Sequence, residues 1–176
     1  MLVIKLITAA VLLVVIGATV GAWHVRRTQL QRVVTAASAV DAVLDQWRSD
    51  RADILADLPS AHYRSTEAEL RVARRLQQTT AAARTALRNA TIGVHRVRLS
   101  GPWSDHADTA RDSYVRYARG WSDYLSRVVD DPRDGIDAPP PAFDADRGTA
   151  LAAFRAAAAP LPGDALDRRV TELFSH

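Results

Sequence analysis

Leu6 to Trp23 is a run of 18 residues without a charge, and Met1 to Ile4 extends it beyond the single Lys5. As a helix rising about 1.5 Å per residue, that run covers roughly 27 Å, close to the hydrocarbon thickness of a bilayer. Lys5 can snorkel toward the headgroups at one end. Trp23 and His24 fall where an interfacial aromatic belt would place them, and Arg26 and Arg27 follow at once. The run therefore predicts a retained N-terminal transmembrane helix over residues 1–25. The rival reading is a cleaved signal peptide, with Val20-Gly21-Ala22 as the small-residue cut and Leu6 to Ile16 as its apolar region. A thin positive n-region and two arginines directly after the cut count against it. Only Lys5 and the amino terminus precede the span, whereas Arg26, Arg27 and Arg32 follow it closely. The positive-inside rule then places the larger part of the chain in the cytoplasm, at the cell membrane, on a single pass.

No glycine or proline separates Ala22 from Leu58, so the spanning helix is expected to run on into the rest of the chain. Leu30, Val33, Ala37, Val40, Leu44, Trp47, Ile54 and Leu58 follow three-four spacing, with Arg51 filling one slot. This is the seam of a helix packed against near-parallel neighbours. Pro59-Ser60 ends it. A second helix starts near Ser65 or Thr66, where an N-cap precedes Glu67 and Glu69. Its predicted buried side is Ala73, Leu76, Thr80, Ala83, Leu87, Ala90 and Val94. Val94 to Leu99 alternates like a strand, but a lone strand has no partner, so it reads as a frayed helix end.

The third helix carries the clearest pattern: Trp103, Ala107, Ala110, Tyr114, Tyr117, Trp121, Tyr124 and Val128 in unbroken four-three steps. Asp130 through Pro141 reads as a loop rich in Asp and Pro. Phe143, Leu151, Phe154, Ala158 and Leu161 suggest a shorter fourth helix, capped near Asp144 or Asp146. Pro160 and Pro162 break it before a last turn or two with Leu166, Val170, Leu173 and Phe174 on one side. The fold class expected is all-α: the transmembrane helix continues into an antiparallel three- to four-helix bundle over residues 26–176. Its helices lie at about 26–58, 65–95, 103–130 and 144–174.

Chemistry-bearing motifs are scarce. His24, His62, His95, His106 and His176 include no pair at ligand spacing, and zinc catalysis needs three ligands with an open position. Asp144-Ala145-Asp146-Arg147-Gly148 resembles a calcium loop only faintly, because Arg147 stands at a turn position and the twelfth-position Glu is missing; helix capping accounts for the same residues. Asp130, Asp131, Asp134 and Asp137 surround Arg133 and read as a solvated loop. Nucleophile-elbow, Walker and dinucleotide-binding patterns are absent from the sequence. Glu67, Glu69 and Glu172 form no Glu-x-x-His pair of the kind di-iron bundles use. With no Cys there is no disulfide frame or thiol nucleophile. The net charge of +3 is spread among 23 basic and 20 acidic groups, without a block that would bind nucleic acid. The aromatic residues Trp103, Tyr114, Tyr117, Trp121 and Tyr124 are the most tempting functional feature. Their spacing favours a core stripe over the wall of a ligand groove.

Leu44-Asp45, then Arg48 and Arg51, then Asp53-Ile54-Leu55-Ala56-Asp57-Leu58 resemble the start of LemA-family proteins. That family has an Ile-Asp pair, a basic stretch and an Asp-Leu-Ile-Pro-Asn-Leu-like segment at matching distances. Ala110-Arg111-Asp112-Ser113-Tyr114, followed by Trp121 and Leu125, is similar to its Ala-Arg-x-x-Tyr-Asn stretch and later apolar positions. The chain departs at Asp41, where the family has Trp, at Ala56 in place of Pro, and at Val115 in place of Asn. The resemblance implies a bacterial membrane protein with a mostly cytoplasmic bundle and no catalytic residues to carry over.

These readings converge on a non-enzymatic, membrane-anchored interaction or scaffold module, with no cofactor and no metal. Its expected partners are the lipid bilayer, flanked by Lys5, Trp23, Arg26 and Arg27, and a protein still to be identified. Nucleic acid is not expected, and a homo-oligomer is left open. The alternative is an extracytoplasmic sensor or ligand-binding bundle, or an exported protein with a cleaved signal peptide.

Overall fold

The computed structural model describes residues 2–58, 66–101, 104–137, 140–159, 161 and 164–175, with side chains from Gly21 onward and not at Asp164. Helices carry almost all of it, and no strand occurs among the described residues. The order is α1 (Leu2–Ala56), α2 (Thr66–His95), α3 (Asp105–Asp130), α4 (Arg133–Asp137), α5 (Asp144–Ala158) and α6 (Asp164–Leu173).

Helix α1 is one uninterrupted helix of 55 residues, as the lack of breakers before Leu58 requires. It stops two residues short of the predicted end. Asp57 and Leu58 turn back through N–H bonds to the carbonyls of Ile54 and Leu55 at 3.3 and 3.0 Å. Pro59, Ser60 and the proposed cap Ser65 lie outside the described residues. So do the side chains of residues 2–20, which hold most of the uncharged run and Lys5. Among the described residues no helix is long and apolar enough to cross a membrane. They lend the transmembrane expectation no support of their own.

Packing register follows from contacts between distant positions. Along α1, Gln29 reaches the Ser100 carbonyl at 2.6 Å, Trp47 reaches Thr80 at 3.0 Å, and Asp57 pairs with Arg75, so α2 runs antiparallel to α1. Tyr114 meets Ala37 and Asp41, while Trp121 and Tyr124 meet Trp47, so α3 runs in the direction of α1. Helix α5 packs on α3 and returns, and α6 lies against α1 and α5. The seam of α1 is buried from Leu30 through Trp47 and again at Ile54. Helix α3 is the most enclosed element. It buries not one stripe but most of its circumference, including Ser113, Val115, Ala118 and Leu125.

Several expectations need correction. On α2 it is Val72 that is buried, while Ala73 sits at the margin, because the larger side chain takes the core-facing slot. The alternating stretch from Val94 is a frayed helix end, as expected: α2 ends at His95, and the Arg96 and Val97 N–H groups still bond the Ile92 and Val94 carbonyls at 3.0 and 3.2 Å. The Asp/Pro loop contains α4, a single turn whose start is tied by the Arg133 N–H donating to Asp131 Oδ1 at 3.0 Å. Gly135 on that turn sits where an added Cβ would come within 2.7 Å of Val128 Cγ1 and 2.9 Å of Leu76 Cδ2. Only glycine allows α4 to close this end of the core. The 144–174 stretch divides into α5 and α6, as the expected break between them requires, but α6 is a helix of 10 residues and not just a last turn or two. Neither Asp144 nor Asp146 caps α5: both lie in its first turn, beside the positive end of the helix dipole, and Phe143 precedes them in a left-handed conformation. Its ring packs over Gly120, where a Cβ would stand 3.0 Å away, and lies 5.2 Å from Trp121.

Candidate functional site

Tyr114, Tyr117, Trp121 and Tyr124 are buried, none more than 5% exposed. Trp47 and Trp121 meet edge to face at 6.1 Å, and each also meets Tyr124, at 5.8 and 5.9 Å. Tyr114 contacts Tyr117, Phe154 and Phe174 in the same manner. Such perpendicular pairs bring the positive edge of one ring to the negative face of another. Trp103, the first member of the stripe, lies outside the described residues. Of the proposed anchor flanks, Trp23, Arg26 and Arg27 are half-buried on α1. Arg26 lines a shallow recess with Gln29, His106 and Ala157.

The aromatic core contains one acidic group. The Tyr114 hydroxyl donates to Asp41 Oδ1 at 2.6 Å, and the Ala37 carbonyl lies 3.0 Å from the same hydroxyl. One phenolic proton cannot serve both acceptors fully. A proton on Asp41 resolves the conflict, because the acid can donate to Tyr114 while Tyr114 donates to Ala37. Burial pushes the Asp41 carboxyl up to about 6, and the charge of Asp45 adds to this; the Tyr114 hydrogen bond and the charges of Arg48 and Arg147 oppose it. Burial likewise raises the Tyr114 hydroxyl well above the ordinary tyrosine range, and the Asp41 charge reinforces it. Asp41 Oδ2 is buried without a hydrogen-bond partner among the described residues. Asp41 lines a groove of about 460 Å³ between α1 and α6, together with Ser38, Asp45, Arg169 and Glu172.

One turn further along α1 a second groove opens, of about 430 Å³, where α1 and α5 meet the 140–142 segment. Arg48, Arg51, Arg147, Asp45 and Trp121 line it, with Pro140, Pro141 and Ala142 opposite. Each guanidinium is fixed by a different neighbour. Arg48 pairs with Asp45 at 2.6 Å and lies over the Trp121 ring at 4.8 Å. Arg51 Nε donates to the Gly135 carbonyl at 2.7 Å, and an Arg147 terminal N–H donates to the Phe174 carbonyl at 2.5 Å. Trp121 Nε1 and the Tyr124 hydroxyl are buried without hydrogen-bond partners among the described residues.

Asp45 belongs to both grooves, so a continuous polar seam follows α1 from Ser38 to Arg51. Sequence reasoning placed Asp45, Arg48 and Arg51 in a family-like segment and Arg147 in a helix cap, and gave Asp41 no role. The available signal was a charge at Asp41 set among Val40, Ala42 and Val43 beside the seam. Of the histidines, His24, His95 and His106 are exposed, and His62 and His176 lie outside the described residues. Among the described residues no three His, Asp or Glu side chains gather as a metal site. Asp130, Asp131, Asp134, Asp137, Asp144 and Asp146 are all at least partly exposed. No protein-family model matches the chain, and no curated protein or solved structure matches it either.

Proposed function

We propose that this chain is a non-enzymatic, membrane-anchored helical bundle that acts as an interaction or scaffold module at the bilayer surface. The observation that carries the reading is α1 itself. One continuous helix bears the uncharged run at its start and the buried seam of the bundle from Leu30 onward. A helix that is both anchor and core element would hold the bundle at a fixed distance and orientation from the membrane. Charge bias favours a cytoplasmic bundle on a single pass, since Arg26, Arg27 and Arg32 follow the run and only Lys5 precedes it within the chain. The same arginines would be drawn to anionic lipid.

A divergent relation to the LemA family belongs to this reading, supported by the common layout and the Asp45, Arg48 and Arg51 positions. Leu44, Ile54, Tyr114, Trp121 and Leu125 support it less, because they are buried positions that any helical bundle fills with apolar residues. The second reading, an extracytoplasmic sensor or ligand-binding bundle, is favoured by the polar seam along α1.

Membrane fractionation of the full chain, with a C-terminal reporter active only outside the cytoplasm, tests both. Recovery in the membrane with a silent reporter supports the scaffold. An active reporter transfers the case to the sensor, and recovery of the intact chain in the soluble fraction removes the anchor from the account.

A further inference from the structure

We infer that the segment leading from α2 toward α3 is a docking element for the phosphate headgroups of anionic lipid. It rests on the anchor reading for its distance from the bilayer, while its charge and its packing stand apart from that reading.

Helix α2 runs back toward the start of α1, and α3 sets out again from there. Residues 96–101 therefore lie at the end of the bundle from which the uncharged run departs. The alternation seen in the sequence has a spatial meaning here. Val97 and Leu99 are half-buried and pack against the core, while Arg96 and Arg98 are exposed. The backbone between them is pinned. A terminal Arg111 N–H donates to the Val97 carbonyl at 3.5 Å, and the buried Gln29 donates to the Ser100 carbonyl at 2.6 Å. Two guanidiniums are thus held outward by a fixed stretch of chain, which lowers the ordering cost of contact.

The surroundings share the sign. Arg32 on α1 and Arg155 near the end of α5 are exposed at the same end. Of the nearby acids on α3, Asp108 and Asp112 share Arg111, at 2.9 and 3.0 Å. Asp130, Asp131, Asp134, Asp137, Asp144 and Asp146 lie at the opposite end of the bundle. An anionic leaflet attracts the first end and repels those aspartates, so charge favours one way up.

Gln29 stands six residues beyond Trp23, about 9 Å along α1. The headgroup layer extends about 5–7 Å outside the hydrocarbon. Ser100 therefore sits at the edge of the headgroups, and the long stems of Arg96 and Arg98 bring their charge within one Debye length, about 8 Å. Val25, 47% exposed, adds an apolar side chain at the level of that layer. The planar fork of each guanidinium suits a phosphate.

The test uses the full chain reconstituted into phosphatidylcholine vesicles, with spin-labelled phosphatidylglycerol or spin-labelled phosphatidylcholine as probe. Electron paramagnetic resonance gives the relative association of the two labels with the protein. The phosphatidylglycerol label should be favoured about fivefold. Arg96→Gln with Arg98→Gln should cut that preference by about half or more, and salt at about 0.5 M should do the same. Arg96→Lys with Arg98→Lys should keep most of it. Arg71→Gln with Arg74→Gln, at the far end of α2, should leave it unchanged. Should the double Gln variant lose helicity by circular dichroism, Arg98→Gln alone serves, with a smaller fall. Recovery of the chain apart from phosphatidylcholine vesicles would remove the anchor. Binding to phosphatidylglycerol vesicles that is lost in the Gln variant would then still support the docking element, and no binding to them would overturn it. No preference for the anionic label, or an equal preference in wild type and the folded Gln variant, also overturns the inference.

Discussion

Replacing Asp41 with asparagine isolates the energetic effect of the buried carboxyl. Its pKa is about 6 in the folded chain against 3.8 when exposed. At about 1.36 kcal/mol per unit, this corresponds to about 3 kcal/mol favouring the protonated form in the fold. Because the folded value is raised, the native state binds more protons than the unfolded chain between about pH 4 and 6. This contribution is complete below the unfolded value and is lost as pH rises through about 6, so wild-type stability should fall across that window. The asparagine side chain cannot ionise, and its amide N–H can donate to Tyr114 as the protonated acid does. Asp41→Asn is therefore expected to match wild type within about 1 kcal/mol near pH 4.5 and to exceed it by about 2–3 kcal/mol near pH 8.

The assay is urea unfolding of the full chain in one nonionic detergent, followed by tryptophan fluorescence, since Trp47 and Trp121 are both buried. Subtracting the variant from wild type at each pH cancels the titration of the other carboxylates. A difference that stays flat between about pH 4.5 and 8 would refute a raised Asp41. A variant less stable than wild type at the alkaline end would show that the charged form is the one the fold accommodates.

Gly135→Ala should destabilise by about 1–3 kcal/mol in the same assay, because Val128 is β-branched and cannot easily swing away from the new methyl. Tyr117→Ala, which empties a position only 5% exposed, should lower stability by about 3–5 kcal/mol and the melting temperature with it; no change would place that ring at the surface. Trp47→Phe leaves the buried Thr80 hydroxyl unpaired, so adding Thr80→Val to it should recover about 1 kcal/mol or more of the loss in a double-mutant cycle.

Much of the helical layout was legible because burial imposes a period on each element. Leu30, Val33, Ala37, Val40, Leu44, Trp47 and Ile54 on α1 are buried as their three-four spacing predicts. The polar slot at Arg51 has its reason in the structure: the side chain lies at the edge of the core and bonds to the carbonyl of α4. What periodicity cannot carry is register between helices. Asp41 and Tyr114 are 73 positions apart, and nothing local to either marks the other. Arg147 read as a capping residue because only its neighbours in sequence were visible. Its structural role is set by Phe174 and by the groove wall it shares with α1. The left-handed Phe143 was equally hidden, since the space it needs is provided by Gly120, more than twenty residues earlier.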